Sequence, residues 1–465
     1  MASTTRRTRP PNVDLARLIE GCGASHKSLA HRVNQLARTA GLETDYSHTS
    51  VANWCRRGMT PKWPVPQLLA QAIGERLGRL VGLSEIGMGE AETIDADVGL
   101  DFPRDPADAV RVATSFWSSV NRRDFLARAG SGFAVSAFTT PVTRWLVAPC
   151  DEAADHRGGG KVGRADLDEL REAADDARRW DSKYGGGSWK ANSVTACLEH
   201  RATPLLEGSF SDEIGRELFS VTAELSRLAG WTAFDVGEHE PAQRHFIQAL
   251  RLARAGGDVQ LGCYVLTTMA MQTLMRGFAS EAVDMAQGAF NRAEGRAAPR
   301  VLAFTRLIEA RAHARANDAR AASRALASSE DLLGRAGADS GDEPGWIDFY
   351  HHARLSADAS EIFRDLRNPT AALAWNQQAA AMPPGVFTRS VGMRLAIVGT
   401  AHLQARDLDH GLELGNRSVE ILARVRSSRA KDYVREFSTA LAPWRREPAV
   451  RAFLHRTRTE LGVGA

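Results

Sequence analysis

Cysteine is scarce in this chain: five residues in 465, at positions 22, 55, 150, 197 and 263, with no two in a CxxC spacing. That excludes a disulfide framework and a zinc site built on paired cysteines. Nowhere do eighteen apolar residues run together, so no membrane-spanning helix is expected. The basic start MASTTRRTRPP has no apolar stretch behind it and does not read as a secretory signal. The expected setting is the cytoplasm. GxSxG, HExxH and the glycine-rich dinucleotide turn are all missing, and RGGGKVG has a lysine after glycines without the spacing or the Ser/Thr of a phosphate loop. His351 and His352 are adjacent, so on a helix they diverge by about a hundred degrees and cannot form an i, i+4 metal pair. No catalytic residue, metal site or cofactor is expected, and the chain is not read as an enzyme.

What is present is ordinary for a soluble folded protein, 43% apolar and 25% charged, in a chain too long for one compact core. Charge is segregated, however. Residues 1–80 carry 12 Lys and Arg against 5 Asp and Glu, a balance of +7, whereas residues 81–110 carry 1 against 8, a balance of −7. A basic head attracts polyanions, and an acidic linker over 82–110 follows it.

Helical periodicity begins after RPPN, with Asn12 as cap and Val13, Leu15, Leu18 and Ile19 as an apolar stripe. SHKSLAHRVNQLARTAG gives a second helix with Ser25 as cap, Leu29, Val33 and Leu36 inward and Gly41 as stop; PKWPVPQLLAQAIGERLG leads through a turn into a fourth. Between them lies SHTSVANWCRRG, residues 47–58. On a helix, Val51, Trp54 and Cys55 share the inward side, leaving Ser47, His48, Ser50, Asn53, Arg56 and Arg57 outward. Asn is equipped for bidentate contact with adenine and Arg for guanine or phosphate. The expected DNA-binding set is these six with Lys27 and Lys62, which would touch the backbone. An arm with Arg6, Arg7 and Arg9 precedes them.

Residues 111–209 read as a helical connecting region. SSVNRRDFLARAGSGFAVSAFTTP is expected to be a core helix capped by Asn121, with Phe125 and Leu126 packing, and RGGGKVG and YGGGSWK are expected to be hinges around RADLDELREAADDARRW. From 210 the chain repeats. Small or apolar residues at the starts of helices, Ala242, Ala282, Ala322, Ala372 and Leu412, recur at intervals of 40, 40, 50 and 40, the long interval holding an insertion around GADSGDEPG. Small residues at a fixed helical position let two helices approach, so each unit is a hairpin covered by the next. Residues 210–465 are expected to fold alone as a solenoid, with aromatics of FYHHARLSADASEIF on its concave side.

These units resemble tetratricopeptide repeats, in the Trp, Gly, Ala and Phe positions of AGWTAFDVGEHEPAQRHFIQALRLA. The head resembles the phage-repressor-like (XRE) helix-turn-helix family, with Leu29-Ala30, SVANWCRRG, Pro61 or Pro64 and LLAQAIGERLG in the family's order. Ala30 to Val51 is about twelve residues longer than that family's pattern, so helix two is extended or the turn is looped. The whole arrangement is similar to Streptomyces-type pleiotropic regulators of antibiotic production and sporulation. The resemblance implies an all-α protein, a four-helix helix-turn-helix domain over 1–81 followed by a tetratricopeptide-like solenoid over 210–465. It also implies double-stranded DNA as partner, a homodimer, and a peptide, small-molecule or protein effector on the repeats, with no membrane partner. The alternative is a repeat scaffold without sequence-specific DNA binding.

Overall fold

The computed structural model describes residues 10–39, 44–61, 65–77, 81, 83, 85–88, 98–123, 133–151, 153–187, 191–336, 343–379 and 387–463. The protein is all-α; among the described residues there is no strand beyond two isolated bridges, His156 with Phe210 and Lys161 with Ser209. No described helix is long and apolar enough to cross a membrane. The chain divides into two compact units, Met1–Ala96 and Asp97–Ala465.

The smaller unit holds α1 (Val13–Gly21), α2 (His26–Thr39), α3 (His48–Arg56) and α4 (Val65–Leu77). Asn12 starts it: its Oδ1 accepts the Leu15 amide at 3.0 Å, its backbone amide donates to the Cys55 carbonyl at 2.7 Å, and its Nδ2 donates to the Ile86 carbonyl at 2.8 Å. One residue thus caps α1 and ties it, by its backbone amide, to the end of α3 and, by its side chain, to a later turn. Leu15 and Ile19 go inward while Val13, expected in the stripe, is exposed at the first position of α1. Along α2 the buried row is Leu29, Ala30, Val33, Asn34 and Ala37; Leu36 sits at its edge, half-buried.

The larger unit opens with α5 (Pro106–Arg123), α6 (Thr139–Val147), α7 (Arg164–Tyr184), α8 (Ala191–Cys197) and α9 (Thr203–Leu206). Five antiparallel hairpins follow: α10 (Asp212–Val236) with α11 (His239–Ala255), α12 (Val259–Met275) with α13 (Ala279–Ala293), α14 (Pro299–Arg315) with α15 (Ala319–Arg335), α16 (His352–Asp365) with α17 (Pro369–Gln378), and α18 (Thr388–Gln404) with α19 (Leu408–Leu422). α20 (Ser428–Ala440) and α21 (Pro448–Leu461) end the unit. Ala242, Ala282, Ala322, Ala372 and Leu412 each lie within the first five residues of the second helix of a hairpin, and all are buried. The repeat reading therefore holds at the level of the packed helix pair.

The hairpin turns share one geometry. A left-handed residue stands at each, Gly237, Gly277, Asn317, Arg367 and Arg406, with φ of +89°, +92°, +61°, +57° and +66°. The next residue's amide bonds back to the first helix, and at Asp318, Asn368 and Asp407 its side chain caps the second. Two turns use glycine for this conformation, and three place a side chain where L-residues are disfavoured.

Several expectations are corrected by non-local hydrogen bonding. Residues 98–104, expected in the linker, lie along α11, where Gln248 Nε2 donates to the carbonyls of Gly99 (2.8 Å) and Asp101 (3.0 Å), Arg251 to those of Pro103 (2.6 Å) and Arg104 (2.9 Å), and Arg244 to Val98. Phe102 is buried with them. Asn121 does not cap a helix, because α5 runs unbroken from Pro106 to Arg123; Phe125 and Leu126 lie outside the described residues. Neither glycine loop is a hinge. The first is strapped to the chain before α10, Val162 N to Ser209 O at 3.0 Å and Ser209 N to Gly160 O at 2.7 Å. In the second, a Cβ on Gly186 would stand 2.6 Å from the Thr232 carbonyl oxygen, so only glycine lets the two backbones meet. Helices α5 to α9 share a core with the first repeats, and the compact unit begins at Asp97 rather than at 210.

Two outcomes follow for stability. A fragment starting at 210 strips Arg244, Gln248 and Arg251 of their carbonyl partners, and unpaired buried polar groups cost about 1 to 3 kcal/mol each. By circular dichroism and size exclusion, residues 97–465 should melt cooperatively as a monodisperse species and residues 210–465 should not; equal behaviour contradicts this account. His245, fully buried with its ring 4.7 Å from that of Phe116, has its imidazole pushed down to about 3 by burial. An unfolded histidine titrates near 6.5, so stability is full above that pH and falls below it, by about 1.4 kcal/mol per pH unit from this one residue until its folded value is reached. His245→Phe should reduce the acid slope of the unfolding free energy between about pH 6.5 and 5; an unchanged slope refutes the assignment.

Candidate nucleic-acid interface

The extra chain between Ala30 and Val51 is taken up partly by α2, which continues to Thr39. The residues just before α3 are held by one buried amide. Asn34 Oδ1 accepts from Tyr46 N (3.0 Å) and Thr44 Oγ1 (3.0 Å), and its Nδ2 donates to Tyr46 O (2.8 Å). Every hydrogen-bonding atom that Asn34 turns toward these residues is matched, which makes a buried polar side chain a stabilising one. Tyr46 then packs edge-on against Trp54, ring centroids 5.1 Å apart, and fixes where α3 starts.

On α3 the inward residues are Val51, Trp54 and Cys55, all buried, and burial pushes the Cys55 thiol up, so it is a packing group rather than a nucleophile. His48, Arg56 and Arg57 are exposed, and Asn53 is half-buried beside them. Ser47 and Ser50 have a structural duty as well: Ser47 N donates to Ser50 Oγ at 3.2 Å and their hydroxyls lie 3.5 Å apart, capping the helix. His48 Nε2 is 3.4 Å from Thr49 Oγ1. Gly58, at φ +57°, ends the helix. Lys27 is exposed in the first turn of α2. Lys62, Pro64 and the arm with Arg6, Arg7 and Arg9 lie outside the described residues. Arg32 on α2 forks onto Glu75 of α4, Nε to Oε2 at 2.7 Å and Nη2 to Oε1 at 2.9 Å, and holds that carboxyl below its usual range. That arginine is committed within the head.

Two features of the larger unit were not found from sequence. One is a cavity of about 550 Å³ among α7, α10, α12, α14, α16, α18 and α20, with aromatic walls from Trp231, Tyr264, Phe304, Trp346 and Phe349. Phe349 was expected on the concave side; Trp346 enters with it from the same connection between α15 and α16. The other is a surface trio, His402, Asp407 and His410, the group among the described residues with metal-ligating spacing. Both imidazoles place Nδ1 on the same Asp407 Oδ2, at 3.0 and 2.8 Å, while Asp407 also caps α19, so the trio is accounted for by hydrogen bonding.

Residues 15–89, the stretch that contains α1 from its third residue, α2 to α4 and the turn around Ile86, match the family model described as the SP15 N-terminal domain. No curated protein and no solved structure matches the chain. The head is thus similar to the SP15 N-terminal domain.

Proposed function

We propose that the chain is a cytoplasmic DNA-binding transcriptional regulator, of the class that controls secondary metabolism or development, in which α3 reads the major groove of double-stranded DNA. The repeat body is then the effector-binding and dimerising part, and the protein has no catalytic role. The observation that carries the reading is the division of α3: its large apolar residues are wholly inside, while Arg56, Arg57 and His48 remain exposed around a half-buried Asn53. A helix stabilised by packing alone has no need of such a face, and these side chains match base edges and phosphates. The basic balance of residues 1–80 supports the same partner. A single head makes few base contacts, so a two-fold pair on half-sites about one or two turns apart fits the reading.

Operators selected from random DNA, followed by gel shifts across a salt titration, test it. Asn53→Ala should relax preference at one base position and cost about 1 to 3 kcal/mol on the selected site with little change on random DNA. Arg56→Ala or Arg57→Ala should weaken both kinds of binding and lower the salt slope by about one for each phosphate no longer neutralised. If no sequence is enriched, or all three variants bind as the parent does, the repeat-scaffold reading takes its place.

The core of the head gives a control. Trp54→Ala removes a buried ring that packs edge-on against Tyr46 and should destabilise the head by about 3 to 5 kcal/mol. DNA binding should disappear while the far-ultraviolet signal of the larger unit stays nearly intact; retained operator binding would contradict the packing role.

A further inference from the structure

The cavity in the larger unit has a charge inventory that almost closes. Arg389 pairs with Asp181 and Asp235, Arg429 with Asp235, Arg354 with Asp358, Arg178 with Asp175 and Glu224, and Arg179 with Asp176. The two lining carboxylates are taken as well, Asp181 by Arg389 and Asp348 by Arg300. Two lining cations are left without an ion pair among the described residues: Lys183, which is exposed with its ammonium 5.2 Å from the Tyr184 ring centroid, and the buried Arg227. Arg227 is 3% exposed, lines the cavity, and has no ion pair or hydrogen bond with any described residue; its Nε is buried without a partner. Its guanidinium stands 4.6 Å from the centroid of the Tyr264 ring. A cation–π contact of about 0.5 to 2 kcal/mol offsets only part of the several kcal/mol that desolvating a guanidinium costs.

The wall around Arg227 is built for a flat apolar body. Trp346 stacks on Tyr264 at 4.7 Å with an interplanar angle of 11°, and Phe349 meets Phe304 edge-on at 5.3 Å. Trp346 and Phe349 lie between α15 and α16, just after the insertion around GADSGDEPG that stretches one repeat interval from 40 to 50 residues. A volume of about 550 Å³ lies in the range of small-molecule sites.

We infer that this cavity binds a small aromatic carboxylate, its carboxylate forked onto Arg227 and its ring held among Trp231, Phe304 and Phe349. One unpaired guanidinium matches the charge and the two-oxygen geometry of one carboxylate. The site specifies the effector half of the regulator proposed above, yet its test contains no DNA, so the two fail separately.

The probes are 2-naphthoate and its neutral counterpart 2-naphthylmethanol, titrated into the full chain by calorimetry. The acid should bind saturably, one per chain, at least about ten-fold tighter than the alcohol. In Arg227→Gln the acid should fall to the alcohol's level while the alcohol's affinity is kept, and the ligand-free melting temperature should hold or rise, because an unpaired buried charge has been removed. A purely structural Arg227 would instead lower the melting temperature and leave the acid's preference intact. No saturable binding of the acid below about 1 mM, equal binding of acid and alcohol by the parent, or a preserved preference in Arg227→Gln would each overturn the inference. The parent's acid-to-alcohol ratio decides the matter even if the variant does not fold.

Discussion

Asp235, at the C-terminal end of α10, has no access to solvent, and four groups from distant parts of the larger unit converge on it. Arg389 of α18 donates at 2.9 Å, Arg429 of α20 at 3.1 Å, the Ser427 hydroxyl at 3.0 Å and the Gly186 amide at 3.0 Å. Arg389 also forks onto Asp181 of α7, at 2.9 Å on both arms. Burial opposes the charge on Asp235, yet its carboxyl is held below the usual range because the two guanidinium groups and the two further donors outweigh that burial. Such an arrangement is stable only when complete, since removal of one member leaves a buried charge unmatched at a cost of about 3 to 5 kcal/mol. It is therefore a constraint on topology: α7, α10, α18 and α20 must arrive together.

A second buried network repeats the device. Arg311 of α14 donates to Glu361 of α16 at 2.7 Å and to the Tyr433 hydroxyl of α20 at 3.0 Å, and the same hydroxyl donates to Glu361 at 2.8 Å. The surrounding arginines pull Glu361 down to about 2 against its burial. Both networks pass through α20. A solenoid whose repeats touch only their neighbours would leave its inner side open, whereas here α20 lies against α10 and α18 and is bonded to α14 and α16. The aromatic cavity is lined in part by the first of these networks, through Asp181, Arg389 and Arg429.

What was legible in the sequence is what depends on local period. Ala242, Ala282 and Ala322 are buried because a fixed place in a helical hairpin is crowded, and spacing alone reveals it. Val51 and Trp54 face inward because a three-residue interval puts them on one side of α3. Misread positions have partners far away in the chain. Residues 98–104 look like a linker by composition and are not one, because α11 supplies donors to their carbonyls across nearly 150 positions. Gly186 looks like a hinge and is a docking point. Arg227 looks like any surface arginine of a helix, since the missing partner that distinguishes it cannot be seen until its burial and the partners of the cavity's other arginines are known. On the head, the outward set was legible from α3 alone, but the double duty of Ser47 and Ser50 as caps and the role of Asn34 in anchoring the residues just before α3 needed coordinates.

The bonds on Asp235 also set an order in time. Arg389 meets Asp181 across 208 positions of sequence, and Arg429 meets Asp235 across 194. Repeat proteins ordinarily gain stability one unit after another as each new hairpin covers the last. In this chain the hairpins can form in that way during synthesis and α7 can pack on α10 early, but until residues 389 and 429 have emerged the carboxylate at the end of α10 lacks both of its guanidinium partners. Loop closure over such distances is slow compared with helix pairing. The ion pairs that join α7 and α10 to α18 and α20 therefore belong to the finished chain rather than to any of its repeats.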